Sequence, residues 1–358
     1  MKEVLVVAKA PTNIAIIKYW GKHPTFENYF IPTKSSASFC VDKFFTSTSL
    51  LMKKENFSIS FELNKKKVLP NSQEFLYILN FFQKVSTFIP EIKNYSYQIQ
   101  SSNNFPTGAG LASSASGFAA LASALAGAFK ELEPEVFEKF FSTDEKLSAI
   151  ARLGSGSASR SVPQQGGFVL WKRGYDNLPK NPKDLDLLFC SYSKSLFSPT
   201  HWKELKIIYL ILGKEEKKIK SRVGMQHSLS TNPLYYHWVE YEEKTLLPSL
   251  LDSIKAKDFE KFAMICMQAS NALHSIMLNT YPPIIYLNDK SRKLIEVISE
   301  LNTNEIIAAY TFDAGPNPII FTLDKNQKKV LDALKTISSQ KNIFVQNIGA
   351  GSTFKGML

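Results

Sequence analysis

The sequence predicts a two-domain α+β protein, on three observations. The chain has 358 residues, beyond the size at which a single hydrophobic core usually stops growing. Segments of period-two alternation and segments of helical spacing occur in both halves, with no internal repeat. Apolar residues make up 44% and charged residues 21%, a globular composition rather than a disordered one.

The elements follow in order. Residues 4–8 read as a short buried strand. Alternation predicts strands over 36–44, 45–52 and 57–63. Residues 75–85 have helical spacing and 95–100 are strand-like. Helices are expected over 111–129 and 133–152, then a strand over 166–171. Residues 177–184 hold two prolines and mixed charges, which places the expected domain division between 1–184 and 185–358. Strands over 185–190 and 205–212 follow, then helices over 233–254, 258–277 and 289–302. Residues 308–312 and 319–323 read as a strand pair joined by a sharp turn at Gly315-Pro316-Asn317. A charged amphipathic helix over 325–339 and a strand over 343–346 complete the set.

Charge and cysteines narrow the function. Lysine and arginine number 43 against 32 acidic residues, a formal charge of +11. A basic surface suits anionic partners, either RNA or a phosphorylated small molecule. The lysine runs at 65–67, 214–220 and 328–329 lack interleaved aromatics, so no nucleic-acid partner is expected. Cys40, Cys190 and Cys266 are too few and too scattered for a disulfide framework or a zinc site. They read as free thiols in a reducing compartment. The start, MKEVLVVAKAP, lacks a signal-peptide pattern, and no apolar run reaches membrane-spanning length. The expectation is a cytoplasmic protein with no membrane partner. A homodimer is expected on general grounds of symmetry alone.

Four segments carry chemistry. In "NNFPTGAGLASSASGFAALASALAGAF", a polar turn with glycines runs into a helix of small residues. Glycines at 108 and 110 let the backbone curl and approach a ligand. Unpaired N–H groups at a helix start and the helix dipole favour an anion there. Ser113 and Ser114 add hydroxyls that can donate, or hold a magnesium ion through oxygen. A phosphate-cradling loop therefore accounts for the whole stretch; a capped buried helix accounts for part of it. "APTNIAIIKYWGKHP" places Lys18 and Lys22 beside Tyr19 and Trp20. The lysines share one face if the segment is helical, and can close around a phosphate if it is not. "ARLGSGSASRSVPQQGGF" alternates glycine with Ser155, Ser157 and Ser159 before Arg160, whose fork matches a carboxylate. The plain alternative is a linker. "AYTFDAGPNPIIF" sets Asp313 in a tight turn within an apolar frame. An acid there either caps the turn or orients and deprotonates a hydroxyl. Together the four suggest phosphoryl transfer to a hydroxyl of an anionic substrate.

The segments "APTNIAIIKYWGK", "NNFPTGAGLASSASG", "GSGSASRS", "GGFVLW", "SRVGMQHSLSTNPL", "NTYPPIIYLN" and "YTFDAGPN" resemble the mevalonate diphosphate decarboxylase family over nearly the whole chain. Its superfamily includes galactokinase, homoserine kinase, mevalonate kinase and phosphomevalonate kinase. "IKYWGK" and "FDAGPN" are the most diagnostic segments. The resemblance implies an N-terminal domain like ribosomal protein S5 domain 2, a ferredoxin-like C-terminal domain and a site in the cleft between them. It implies that ATP and diphosphomevalonate give isopentenyl diphosphate, carbon dioxide, ADP and phosphate. It puts Lys18, Tyr19 and Lys22 at the substrate's diphosphate and the catalytic centre. The ATP loop would comprise Asn104, Pro106, Gly108, Gly110, Ser113 and Ser114, with Mg2+ near Ser114. Ser155 and Ser157 would contact substrate or organise the centre, Arg160 would hold the carboxylate, and Asp313 would meet the tertiary hydroxyl. The adenine pocket is expected from loops between Lys66 and Asn104. Neighbouring readings are a 3-kinase that stops after phosphorylation and a decarboxylase of the monophosphate; an RNA-binding protein is the reading from another class. Three departures stand out. "SVPQQGG" after Arg160 replaces a tighter form. The terminal "NIGAGSTFKG" looks nearer the kinases. Lys34 stands where the family usually has asparagine, and either alters substrate contact or faces solvent.

Overall fold

The computed structural model describes residues 3–105, 113–213 and 218–357. The strands run, in chain order, β1 Glu3–Ile17, β2 Ser36–Lys53, β3 Ser58–Leu63, β4 Lys66–Lys67, β5 Ser96–Asn103, β6 Phe168–Trp171, β7 Ser193–Phe197, β8 Leu205–Leu210, β9 Ala308–Phe312, β10 Pro318–Leu323, β11 Ile343–Gln346 and β12 Thr353–Met357. Among the described residues they form two sheets. An eight-stranded sheet has the order β12-β1-β2-β5-β3-β4, with β6 between β2 and β7; a four-stranded sheet has the order β11-β8-β10-β9. This is the mixed α+β architecture that the patterning predicts.

β1 is far longer than the expected 4–8. Pro11 and polar Thr12 and Asn13 interrupt the apolar run, yet the strand passes through them on a register shift between Pro11 and Asn13. Proline lacks the N–H for a ladder bond and is tolerated at such bulges. The same irregularity explains why 36–44 and 45–52 read as two strands although β2 is continuous. Asn13 pairs with Cys40 and Pro11 with Phe45. The intervening residues of β2 turn instead to the C-terminal segment, through Asp42 N–H to Asn347 O and a bridge between Val41 and Ile348.

The Ser113–Leu132 helix lies against this sheet. Its small residues permit the contact. A Cβ on Gly127 would stand 2.7 Å from the Phe354 ring and 2.8 Å from Val6 Cγ1. One apolar cluster fills the space between this helix, the Gln73–Ser86 helix and the first half of β1. A second joins Ile14, Phe39 and Phe168 of the first sheet to Ile207 and Phe321 of the second and Phe262 of the Phe259–Leu278 helix. The two sheets are thus fused along one side.

Several expectations need correction. The helix expected over 133–152 is two, Pro134–Phe140 and Asp144–Arg152, because Thr143 caps the second by accepting from Lys146 N–H. Residues 185–190 are not a strand: Asp184–Phe189 is helical, with the Asp186 carboxylate accepting the Lys183 N–H at its start. The helix expected over 233–254 is Tyr235–Tyr241, a π-helical turn Glu242–Leu246, and Leu247–Ala256. The sequence reading missed β7, β12 and the Ser221–Thr231 helix. β7 and β12 lie past residue 184 yet pair with β6 and β1. The terminal glycines have a packing reason. Gly167 N–H donates to Gly349 O and Gly351 N–H to Gln164 O, and a Cβ on Gly351 would lie 1.7 Å from Pro163 O.

Candidate active site

Asp313 follows β9 and enters a turn fixed from several directions. Phe312 N–H donates to Ser270 Oγ, Ser291 Oγ to Pro316 O, and the Asn317 side-chain oxygen accepts from Leu212 and Gly213 N–H. From this braced turn the Asp313 carboxylate reaches Lys18, whose Nζ lies 2.6 Å from Oδ1. Lys18 comes one residue after β1 ends, in the other sheet. Its side chain is 3% exposed, that of Asp313 39%. A sealed ammonium thus faces a half-open carboxylate across the two lobes. His274 stands behind the turn, its ring edge-on to Phe312. Burial, and then the charge of Lys18, push its pKa down to about 4, so it is neutral near pH 7.

Arg160 sits in the short helical turn Gly156–Ser161 and is 5% exposed. Its Nη1 donates to Ser36 Oγ at 3.2 Å, while its buried Nε has no partner among the described residues. Burial lowers its pKa to about 10, with Asp313 opposing the shift, so it keeps its charge near pH 7. A buried arginine with an uncommitted N–H is suited to a carboxylate ligand. Just upstream, Ser155 Oγ lies 3.5 Å from Ser114 Oγ and 3.3 Å from Ser157 Oγ. Tyr19 leans on Trp171 with ring centroids 4.8 Å apart. Gly156 makes room for it, since a Cβ there would be 2.8 Å from the Tyr19 ring. Burial raises the Tyr19 pKa, so its hydroxyl stays protonated and can donate.

Lys18 and Lys22 are not on a helix, and they serve different places. Lys22 lies over the Phe30 ring at 4.1 Å. Lys84, from the last turn of Gln73–Ser86, lies over the same ring at 3.9 Å. Arg222, from the start of Ser221–Thr231, sits over the Tyr77 ring at 4.3 Å and donates to Gly154 O. Against these three cations stands Glu27, 3.5 Å from Lys22. Burial, then the charges of Lys22 and Arg222, push the Lys84 pKa down to about 8. A cluster of this kind suits a multiply charged anion.

Ser113 and Ser114 are exposed at the mouth of a cavity of about 250 Å³. Tyr77, Ile78, Ile99, Phe118 and Leu121 supply its apolar lining, and Thr46, Thr48, Ser101 and Asn103 its polar groups. Gly117 leaves a gap in the helix wall, with nothing among the described residues within 4 Å of a built Cβ. A flat apolar ring with a few polar edges fits such a slot. Asn104 is committed elsewhere: its amide oxygen accepts from Phe45 N–H and its nitrogen donates to Lys43 O, which anchors the chain before the loop. Pro106, Gly108 and Gly110 lie outside the described residues. No group of three or more His, Cys, Asp or Glu side chains stands ready to hold a metal among the described residues.

Comparison with known proteins fits this geometry. Residues 10–181 match the model of the diphosphomevalonate decarboxylase-like N-terminal domain, and residues 207–353 that of the mevalonate 5-diphosphate decarboxylase C-terminal domain. The chain belongs to the diphosphomevalonate decarboxylase family. It is 38% identical to the diphosphomevalonate decarboxylase of Candida albicans, over 91% of this chain and 86% of that one. The mevalonate diphosphate decarboxylase of Staphylococcus aureus superposes with a TM-score of 0.86 at 31% identity, covering 99% of this chain and 98% of that one. A structure of MDDEF in complex with MVAPP, AMPPCP and magnesium superposes equally well, at 0.86 and 28% identity, covering 99% of this chain and 100% of that one.

Within this decarboxylase family member, several residues of the site escaped the sequence reading. Lys84 and Arg222 lie far in sequence from Lys22; only the basic residue in "SRVGMQ" offered a signal. The lining of the slot falls partly within the expected 66–104 span, but Thr46, Thr48 and Phe61 come from β2 and β3. Lys34 does not face solvent. It is 1% exposed and 2.5 Å from Glu242, itself fully buried.

Proposed function

We propose that this protein catalyses the ATP-dependent decarboxylation of (R)-5-diphosphomevalonate to isopentenyl diphosphate, with release of ADP, phosphate and carbon dioxide. The observation that carries the reading is the Lys18–Asp313 contact across the lobes, beside a buried arginine with an uncommitted N–H.

In this reading the adenine enters the slot beside Phe118 and Ile99, and the triphosphate runs past Ser113 and Ser114 toward Ser155. Ser114 would help hold a magnesium ion, which would neutralise phosphate charge. Lys22, Lys84 and Arg222 take the substrate's diphosphate, and Tyr19 donates a hydrogen bond to it. Arg160 holds the carboxylate through Nε.

Asp313 orients the tertiary hydroxyl, which is a poor leaving group, and accepts its proton as the oxygen takes the γ-phosphoryl group of ATP. The C–O bond to the new phosphate then breaks, and its electron pair leaves with the phosphate. Positive charge develops at the tertiary carbon. The C–C bond to the carboxylate supplies the pair that forms the alkene, and carbon dioxide departs from the Arg160 side. Lys18 holds Asp313 in place and disperses negative charge where two phosphorylated reactants meet.

The test is an assay that offers ATP with diphosphomevalonate, the monophosphate or mevalonate in parallel and reads both ADP and carbon dioxide. The reading expects the two products in equal amounts with diphosphomevalonate. ADP without carbon dioxide would make the protein a 3-kinase, and preference for the monophosphate would reassign the substrate.

A further inference from the structure

Lys34 is a costly residue where it stands. It lies near the end of the connection from β1 to β2, is 1% exposed, and pairs with the fully buried Glu242. Two charges withdrawn from water lose several kcal/mol of hydration each, and replacing such a pair with apolar side chains is often neutral or stabilising. Stability alone therefore does not explain it.

Its contacts suggest another purpose. Lys34 Nζ donates to the backbone carbonyl of Lys18. That carbonyl lies just beyond Ile17–Ala37, the last ladder pair of β1 with β2. The ammonium also lies 2.5 Å from Glu242 Oε2 and 4.6 Å from the Trp238 ring centroid, while Trp238 Nε1 donates to Glu242 Oε1. Glu242 opens the π-helical turn Glu242–Leu246. The next residue, Glu243, accepts from both Ser35 N–H and Ser35 Oγ. Two consecutive glutamates thus grip two consecutive residues of the other lobe. The Lys34–Glu242 pair is within electrostatic reach of Arg160 and Lys18.

We propose that Lys34 is a positioning residue: seated by Glu242 of one lobe, it holds the Lys18 carbonyl of the other and so aims the Lys18 side chain at Asp313. The inference rests on the decarboxylase reading above. The Lys18–Asp313 contact spans the lobes, and a small error in the Lys18 backbone is carried along a long side chain to the reacting centre. The Lys34 hydrogen bond fixes the backbone at that lever's base.

Three variants test it, with melting temperature, kcat and both KM values measured on each. Lys34→Met alone leaves Glu242 buried without its counter-charge and is expected to melt well below the wild type or not fold. The double variant Lys34→Met with Glu242→Leu replaces the pair with apolar groups and should recover the wild-type melting temperature. Its kcat should nevertheless fall roughly tenfold to a hundredfold, with the KM for ATP within about twofold, the size of change that leaves binding essentially intact. The third, Lys34→Gln with Glu242→Leu, keeps a donor but no charge, and should return kcat to within a few-fold of wild type. Wild-type kcat in the Met–Leu variant would overturn the proposal, as would equally low kcat in both double variants. Should both doubles melt far below wild type, the pair is a structural staple and the proposal also fails. Absence of carbon dioxide release by the wild type would instead sink the decarboxylase reading itself.

Discussion

Lys18 Nζ and Asp313 Oδ1 lie 2.6 Å apart although 295 positions separate the residues in the chain. The lysine is sealed and the aspartate half open. A turn cap would not require a buried ammonium from the opposite lobe. The pairing converts a residue that composition alone marks as expensive into the centre of the site.

Arg160 gives the first prediction. Its Nη1 is tied to Ser36 and its Nε has no partner among the described residues. Arg160→Gln should raise the KM for diphosphomevalonate about 10- to 100-fold, the value of one lost charge-assisted hydrogen bond pattern. The KM for ATP should change little. Steady-state kinetics with each substrate varied in turn checks this, and equal weakening of both would remove the carboxylate role.

The cation cluster predicts a pH effect. The Lys84 pKa is lowered to about 8, first by burial and then by Lys22 and Arg222. Below that pH Lys84 is charged; as pH rises through it, the free protein loses one of three cations. The diphosphate is already ionised there and offers no compensating titration. The KM for diphosphomevalonate should therefore rise between pH 8 and pH 10 in wild type. In Lys84→Met it should be higher at pH 7 and depend less on pH over the same range.

Gly117 predicts a separation of binding from stability. It lines the slot, and a Cβ there meets nothing within 4 Å among the described residues. Gly117→Leu should occupy the cavity and raise the KM for ATP at least about tenfold, as expected when a side chain displaces ligand volume. Glycine costs about 1 kcal/mol relative to better helix formers, so the variant should melt no lower than wild type. A lower melting temperature with unchanged KM would show that the slot does not hold the nucleotide.

Much of the site was legible because its chemistry depends on short local motifs. The turn at 313–317 was readable from an acid before Gly315-Pro316-Asn317, and the strand pair around it fell at the predicted places. The small residues of the Ser113–Leu132 helix were visible in the sequence, and they permit its close approach to the sheet. What stayed hidden was decided by tertiary pairing. β12 is a glycine-containing terminal segment that becomes a strand only because β1 offers an edge. The Asp184–Phe189 helix reads as a strand from its leucines, and a carboxylate at its start overrides that pattern. Lys84 carries no local mark, and Arg222 only its place in "SRVGMQ"; the fold sets both beside Lys22. Lys34 left both substrate contact and solvent open as readings because the partner that buries it lies 208 residues on.

The central claim is that the carboxylate at position 313 serves the chemistry rather than the turn. Turnover of diphosphomevalonate by Asp313→Asn, read as carbon dioxide and ADP, tests it most directly. The account predicts a loss of at least about a thousandfold in kcat, within the range for removing a general base and its charge. Affinity for ATP and the melting temperature should stay near wild type. Turnover within a few-fold of wild type would contradict it.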